Sequence, residues 1–168
     1  NKIILHVCRQ DKAMVGGMDQ IYGGDETTGK LWRWTIDLDL QSCKEEQIDD
    51  KPCDFARVDD RRTGLKASVG YAMELNNKAE TLTFGNNLFK YNLDKGTRED
   101  HFLGKHTVGG EPLFAPNPNN NDENNGYVMS LVHDNNKNRS KLLIIDSNDF
   151  SNKAVAEVIL PQRVPFGA

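Results

Sequence analysis

Two carboxylates stand out by their surroundings. Glu111 follows Gly109-Gly110 and heads the mostly apolar run Pro112-Leu113-Phe114-Ala115-Pro116. A charge that leaves water without a partner is costly, and the neighbouring sequence offers Glu111 no obvious one. Asp54, next to Phe55, lies near the centre of a charged stretch from Asp49 to Lys66 that reads as irregular. Each also has a plainer reading: Glu111 as an edge glutamate paired with an Arg or Lys, and Asp54 as a loop acid paired with Arg57 or Arg61.

Other residue types that do chemistry lack the company they need. His6 sits in an apolar strand, His133 ends one, and His101 and His106 flank a Gly-containing loop. None has the compact spacing of a metal-ligand pair, so they read as structural or solvent-exposed. Cys8, Cys43 and Cys53 form no CxxC and are odd in number, which reads as thiols of a reducing compartment, cytoplasm or plastid. No Ser-His-Asp or Cys-His order has a supporting signature, and Gly16-Gly17 and Gly109-Gly110 lack the strand-turn-helix context of a nucleotide loop. Catalytic side chains are therefore not predicted within the chain.

Length and composition set the class. The 168 residues suit one domain, and a net charge of −4 excludes the basic footprint of a nucleic-acid binder. With 37% hydrophobic and 27% charged residues the chain has the balance of a folded protein. No apolar run approaches the roughly 20 residues of a membrane helix; a membrane-surface contact remains open through regions outside the chain.

The elements that must position the two carboxylates are strands. Ile3 to Val7 is a buried-type apolar run, and Lys30 to Asp37 alternates Leu31, Arg33 and Thr35 against Trp32, Trp34 and Ile36, the period of a strand. Further strands are predicted at Lys44–Ile48, Val69–Leu75, Thr81–Phe84, Leu88–Leu93, Arg98–Phe102, Gly109–Pro116, Gly126–His133, Lys141–Asp146 and Val155–Leu160. Asp94-Lys95-Gly96 suits a hairpin turn, with Gly96 at positive φ. The run Asn117 to Asn125 reads as a solvated loop, and the aromatics Trp32, Trp34, Phe89, Tyr91, Phe114 and Tyr127 as packing rather than a substrate tunnel. Leu31-Trp-Arg-Trp-Thr-Ile-Asp, Leu88-Phe-Lys-Tyr-Asn-Leu-Asp and Leu142-Leu-Ile-Ile-Asp echo one another 57 and 54 residues apart, each running into an Asp-containing turn and a returning strand. A period of roughly 50 residues built of short antiparallel strands marks propeller blades; a β-sandwich is the other reading. About three blades fit, against the roughly 4–8 of closed propellers, so an incomplete propeller is expected.

The segment GGEPLFAPNPNNNDENNGYVMSLVHDNNKNRSKLLIIDSNDFSNKAVAEVILPQRVPFG (109–167) resembles the last part of the carotenoid cleavage oxygenases, which include carotenoid, apocarotenoid and lignostilbene dioxygenases and a retinoid isomerase. It carries the Gly-Glu-Pro strand, the acidic loop, the Gly-Tyr strand, the Asp-x-x-Asp-Phe hairpin and the Pro-x-Arg-Val-Pro exit in that order. LWRWTIDLDLQSCKEEQIDDKPCDFARVDDRRTGLKASVGYA (31–72) is similar to the family's Glu-Phe-Pro-Arg blade, and NKIILHVCRQD (1–11) to the strand after its third iron-ligand histidine.

The resemblance implies an all-β fold, a partial seven-bladed β-propeller, with residues 1–168 forming a single incomplete domain. It implies Fe(II) on the axis held by four histidines, cleavage of a C=C bond in a carotenoid, apocarotenoid or stilbene-type substrate with O2, and carbonyl products. By the same resemblance Glu111 accepts a hydrogen bond from the ring N–H of the fourth ligand histidine and Asp54 from that of the third. Those histidines would follow Ala168 and precede Asn1, so no metal ligand is expected within the chain. Phe166, just before the fourth, would line the substrate tunnel. Asp54 departs from the family's Glu, one methylene shorter, and Ala56 from its Pro. The alternative is a metal-free β-propeller binding module in which both acids are structural.

Overall fold

The computed structural model describes residues 1–12, 25–76 and 83–164. Eleven strands carry the fold among these residues, and they fall into two compact units. The loop around Gly16-Gly17 and Gly23-Gly24 and the exit from Pro165 lie outside the described residues.

The first unit comprises Asn1–Ala56 and Glu74–Thr83. Its strands β1 (Lys2–Arg9), β2 (Lys30–Asp37) and β3 (Ser42–Arg57, whose last residue belongs to the second unit) pair antiparallel in chain order. Ile3, Leu5 and Val7 stand opposite Ile36, Trp34 and Trp32, an apolar cross-strand ladder of the kind that stabilises a sheet face. The expectation of a buried β1 is corrected: Ile3, Ile4 and Leu5 are exposed, and among the described residues β1 pairs with β2 alone. The stretch expected to be irregular from Asp49 is also strand as far as Arg57. A bulge hides it from sequence pattern: Trp32 faces Gln47, yet Lys30 faces Pro52 where unbroken register would bring Asp49.

The second unit comprises Arg57–Met73 and Phe84–Ala168. Here β4 (Val69–Asn76, whose last three residues belong to the first unit), β5 (Thr83–Asn92, whose first residue does too) and β6 (Thr97–Phe102) follow one another in one sheet. The two strands predicted over 81–84 and 88–93 are a single β5. A second sheet runs β11 (Ala156–Ile159), β10 (Arg139–Asp146), β9 (Gly126–Asp134) and β7 (Thr107–Val108), with β8 (Leu113–Pro116) also on β9. Leu88, Phe89, Lys90 and Tyr91 are buried consecutively, so both faces of β5 are covered. Tyr71 ties the unit together. Its ring stacks on Phe114 at 5.4 Å and 14°, meets Phe150 at 6.0 Å, and its hydroxyl donates to Ser147 Oγ at 2.6 Å.

The repeated motif is visible as three hairpins, β2–β3, β5–β6 and β10–β11, each beginning at one of the echoed Leu runs. A short polar side chain turns each corner. Asp37 accepts from the backbone N–H groups of Asp39 and Leu40, Asn92 from Lys95, and Asp146 from Asn148. In the middle hairpin it is thus Asn92, not Asp94, that closes the turn, and Gly96 takes φ 66° as expected. Among the described residues no helix is long and apolar enough to cross a membrane.

Candidate functional site

Glu111 does not head a strand as predicted; it lies in the link between β7 and β8. That link is clamped to β9. Ser130, buried, donates from Oγ to the Gly110 carbonyl at 2.9 Å, and the Gly110 N–H reaches back to the same oxygen at 3.4 Å. The approach is close enough that a Cβ on Gly110 would sit 2.6 Å from the Leu131 carbonyl oxygen. Glu111 therefore leaves the sheet at a fixed point, but its side chain is 54% exposed. The premise that it leaves water is corrected: its Oε2 lies 3.9 Å from Arg57 Nη2, itself half-exposed, a loose surface pair.

Asp54 sits in the first unit, near the end of β3. Phe55 after it has φ 56°, the left-handed region that a bulky residue seldom occupies. In that conformation the Phe55 N–H turns back onto Asp54 Oδ1 at 2.7 Å. The ion pairs suggested for Asp54 go elsewhere: Arg57 meets Glu111, and Arg61 grips Asp59 through Nε at 3.1 and 2.9 Å and Nη2 at 2.7 Å. That grip holds the Asp59 carboxyl below the usual carboxylate range, the Arg61 hydrogen bonds being the largest cause.

Three of the histidines are held by separate partners. His6 Nε2 accepts from Arg33 Nε at 3.3 Å, His101 Nδ1 donates to the Phe150 carbonyl at 2.8 Å, and His133 Nδ1 meets Ser140 Oγ at 3.0 Å. Among the described residues no group of three or more His, Cys, Asp or Glu comes together in a way that would hold a metal. Phe89, Tyr91 and Phe114 are buried in the second unit's core, as packing residues should be, whereas Tyr127 is half-exposed. Phe166 lies outside the described residues. A surface cavity of about 500 Å³ opens beside His101, Leu143 and the Lys141–Glu157 pair, and neither candidate carboxylate lines it.

The Asn117–Asn125 loop is more than solvated. Its carbonyls at Asn120 and Asn121 take Arg61 and Arg62, Glu123 accepts the Ser68 N–H with both oxygens, and Asn124 accepts from Ser147 Oγ. Sequence reading also passed over Lys90, buried yet satisfied, with Nζ donating to the Ser147 carbonyl at 2.6 Å and facing Glu99 at 3.6 Å. The signal for it was a lysine flanked by aromatics inside a strand pattern.

The family model described as RPE65, retinal pigment epithelial membrane protein, matches residues 1–168, so the chain belongs to that family. Among curated relatives, the apocarotenoid-15,15'-oxygenase of Synechocystis is 26% identical over 82% of this chain and 28% of its own length. Carotenoid 9,10(9',10')-cleavage dioxygenase 1 of Pisum sativum is 26% identical over 99% of the chain and 33% of its own. Resveratrol cleavage oxygenase 1 of Botryotinia fuckeliana is 30% identical over 83% of the chain and 26% of its own. The chain thus spans about a quarter to a third of the length of the relatives it matches. Solved structures of Synechocystis apocarotenoid oxygenase, including a cobalt-substituted form, superpose with a TM-score of 0.86 at 24% identity, over 98% of this chain and 35% of theirs. The fold is accordingly all-β, a partial β-propeller.

Proposed function

We propose that the polypeptide carrying this chain is an Fe(II) dioxygenase that cleaves a C=C bond of an apolar conjugated substrate, a carotenoid, apocarotenoid or stilbene, with O2 to give two carbonyl products. The observation that carries this reading is the family match along the whole chain, with relatives named for cleaving carotenoids and resveratrol.

Iron in such an enzyme supplies the activation of O2. By the family resemblance, the part of this chain is to orient ligands that come from outside residues 1–168, in a domain of which it is one incomplete piece. Glu111 suits that role, because Gly110 before it is fixed by Ser130 while its carboxylate is half-exposed and pairs with Arg57 at 3.9 Å. A carboxylate accepting the free ring N–H of a ligand histidine sets its tautomer and strengthens its donor character. Asp54 would serve a second histidine with Oδ2, since Oδ1 takes the Phe55 N–H. Phe166 would form part of the tunnel wall. Of the two expected compartments, cytoplasm or plastid, relatives named as chloroplastic support the plastid.

The test is to purify the whole polypeptide with iron and supply an apocarotenoid, an intact carotenoid and resveratrol under ¹⁸O2. Aldehyde or ketone products carrying the label are expected from at least one. Iron-loaded protein that leaves all three intact refutes the proposal. A metal-free module would instead use Glu111 only in its pair with Arg57, so substituting either partner of that pair separates the two readings.

A further inference from the structure

The chain beyond β11 is tied twice to one residue. The Leu160 N–H donates to the Ser140 carbonyl at 3.0 Å, and the Val164 N–H donates to the Ser140 hydroxyl at 3.2 Å. The first bond extends the β10–β11 ladder by one residue. Pro161 follows, and with no N–H it cannot carry the ladder on, so the chain bends and returns to the Ser140 side chain. Beside the hydroxyl stands His133, directly opposite Ser140 in the β9–β10 pair, with Nδ1 3.0 Å from Oγ. Burial marks the spot. Tyr127 and Leu131, on the same face of β9, are exposed, whereas His133 and Ser140 are buried.

The protons fix the order of donors. A backbone N–H can only donate, so Ser140 Oγ accepts from Val164. The hydroxyl then has one proton to give, and His133 Nδ1 is in reach to accept it. The imidazole accordingly carries its own proton on Nε2. Each bond in such a chain polarises the next, and the ring has a second effect. A serine side chain has three staggered wells, and the bond to His133 favours the one that meets Val164. Two residues of chain span at most about 7 Å, so fixing Val164 limits how far away Phe166, the proposed tunnel residue, can lie.

We propose that Ser140 and His133 are a positioning pair: the hydroxyl, oriented by the ring, pins the bend over residues 160–164 and thereby sets the place of Phe166 in substrate binding. The part given to Phe166 rests on the oxygenase reading; the pinning of the bend does not.

The experiment uses the whole polypeptide. It reads amide hydrogen exchange by mass spectrometry over residues 160–164, beside kcat and KM for cleavage. Ser140→Ala and His133→Leu should each exchange there about fivefold faster than wild type, the factor that one net hydrogen bond corresponds to. His133→Asn should keep the wild-type rate, since its Oδ1 stands where Nδ1 stood and accepts the same proton. Exchange in β5 should change in none of them, as a check that the sheets stay folded. KM should rise by up to the same factor in Ser140→Ala and His133→Leu at nearly constant kcat, because binding must then order what the pair no longer holds. His133→Asn should restore it, which a merely loosened core would not allow. Unchanged exchange in Ser140→Ala overturns the pinning, and His133→Asn as fast as His133→Leu overturns the part given to the ring. Faster exchange with KM unmoved overturns the positioning role. Iron-loaded wild type inert with every substrate refutes the oxygenase reading instead, and exchange then still decides the pinning.

Discussion

Replacing Glu111 by Gln separates a carboxylate that props a ligand from one that decorates a surface. The contact with Arg57 is worth little by itself. Opposite charges 3.9 Å apart attract by about 1 kcal/mol in bulk water. Both side chains are about half-exposed, so salt screens the attraction and the cost of holding two long side chains reduces it further; exposed pairs of this sort commonly contribute about 0.2–1 kcal/mol. Loss of the pair alone therefore shifts the thermal transition by a few degrees at most, and Arg57→Met shifts it equally. If Glu111 instead steadies an iron-ligand imidazole, its amide offers that ring N–H a weaker acceptor, and about 10–100-fold of iron affinity or turnover is lost, about 1.4–2.7 kcal/mol. Arg57→Met should then leave iron content and turnover near wild type, since the carboxylate remains. The assay is iron stoichiometry, kcat/KM for cleavage and thermal unfolding on the whole polypeptide with each substitution. Glu111→Gln with full iron and full turnover refutes the propping role, and equal losses in Arg57→Met and Glu111→Gln assign the effect to the ion pair.

Three further substitutions test the packing that positions the strands. Tyr71→Phe removes the hydroxyl that meets Ser147 Oγ and should cost about 1 kcal/mol in denaturant unfolding. Burial pushes the Tyr71 phenol up, so the folded state keeps its proton where the unfolded one ionises, near pH 10; stability should fall as pH rises above about 10 and the variant should lose that slope. Identical alkaline profiles would contradict this. Asp59→Asn breaks the grip on Arg61 and should destabilise more than Tyr71→Phe at neutral pH; because the Asp59 pKa is lowered, its contribution is present above about pH 3.9 and fades as pH falls through the folded value, so the two proteins should converge in acid. At Phe55, φ 56° reverses the usual order for a strand: Phe55→Gly should be more stable than Phe55→Ala by about 1 kcal/mol, and the opposite order would show that this backbone carries no strain.

What the sequence disclosed was whatever is decided locally. The echo of three Leu runs was readable because each runs into a turn closed by a short side chain at or near its end, Asp37, Asn92 and Asp146. Gly96 was readable for the same reason. The family pattern singled out Glu111 and Asp54 as candidates, and their surroundings were misjudged from neighbours in sequence. Arg57 lies 54 residues before Glu111 and still finds it, so an apolar run along the chain became an exposed link in space. Burial of β1 was misjudged too, since an apolar run does not reveal how many neighbours its strand has.

The bulge in β3 shows why the rest was not legible. Were β2 and β3 paired without it, the partner of Gly29 would be Asp50; the slip brings Cys53 there instead. No periodicity reports such a slip, because alternation is reset on its far side. Yet it decides two things at once. It sets a second thiol beside Cys8, and it delivers Asp54 and the left-handed Phe55 to the end of the strand. Deleting Asp49 to Lys51 removes the bulge and keeps Cys53 opposite Gly29 in plain register, so the deletion tests the bulge by itself. It should preserve the sheet, because Gly29 keeps its partner, while removing the local twist that a bulge adds and so altering the aim of Asp54. A variant that keeps iron binding and cleavage unchanged after that deletion would show that the bulge serves the strand alone.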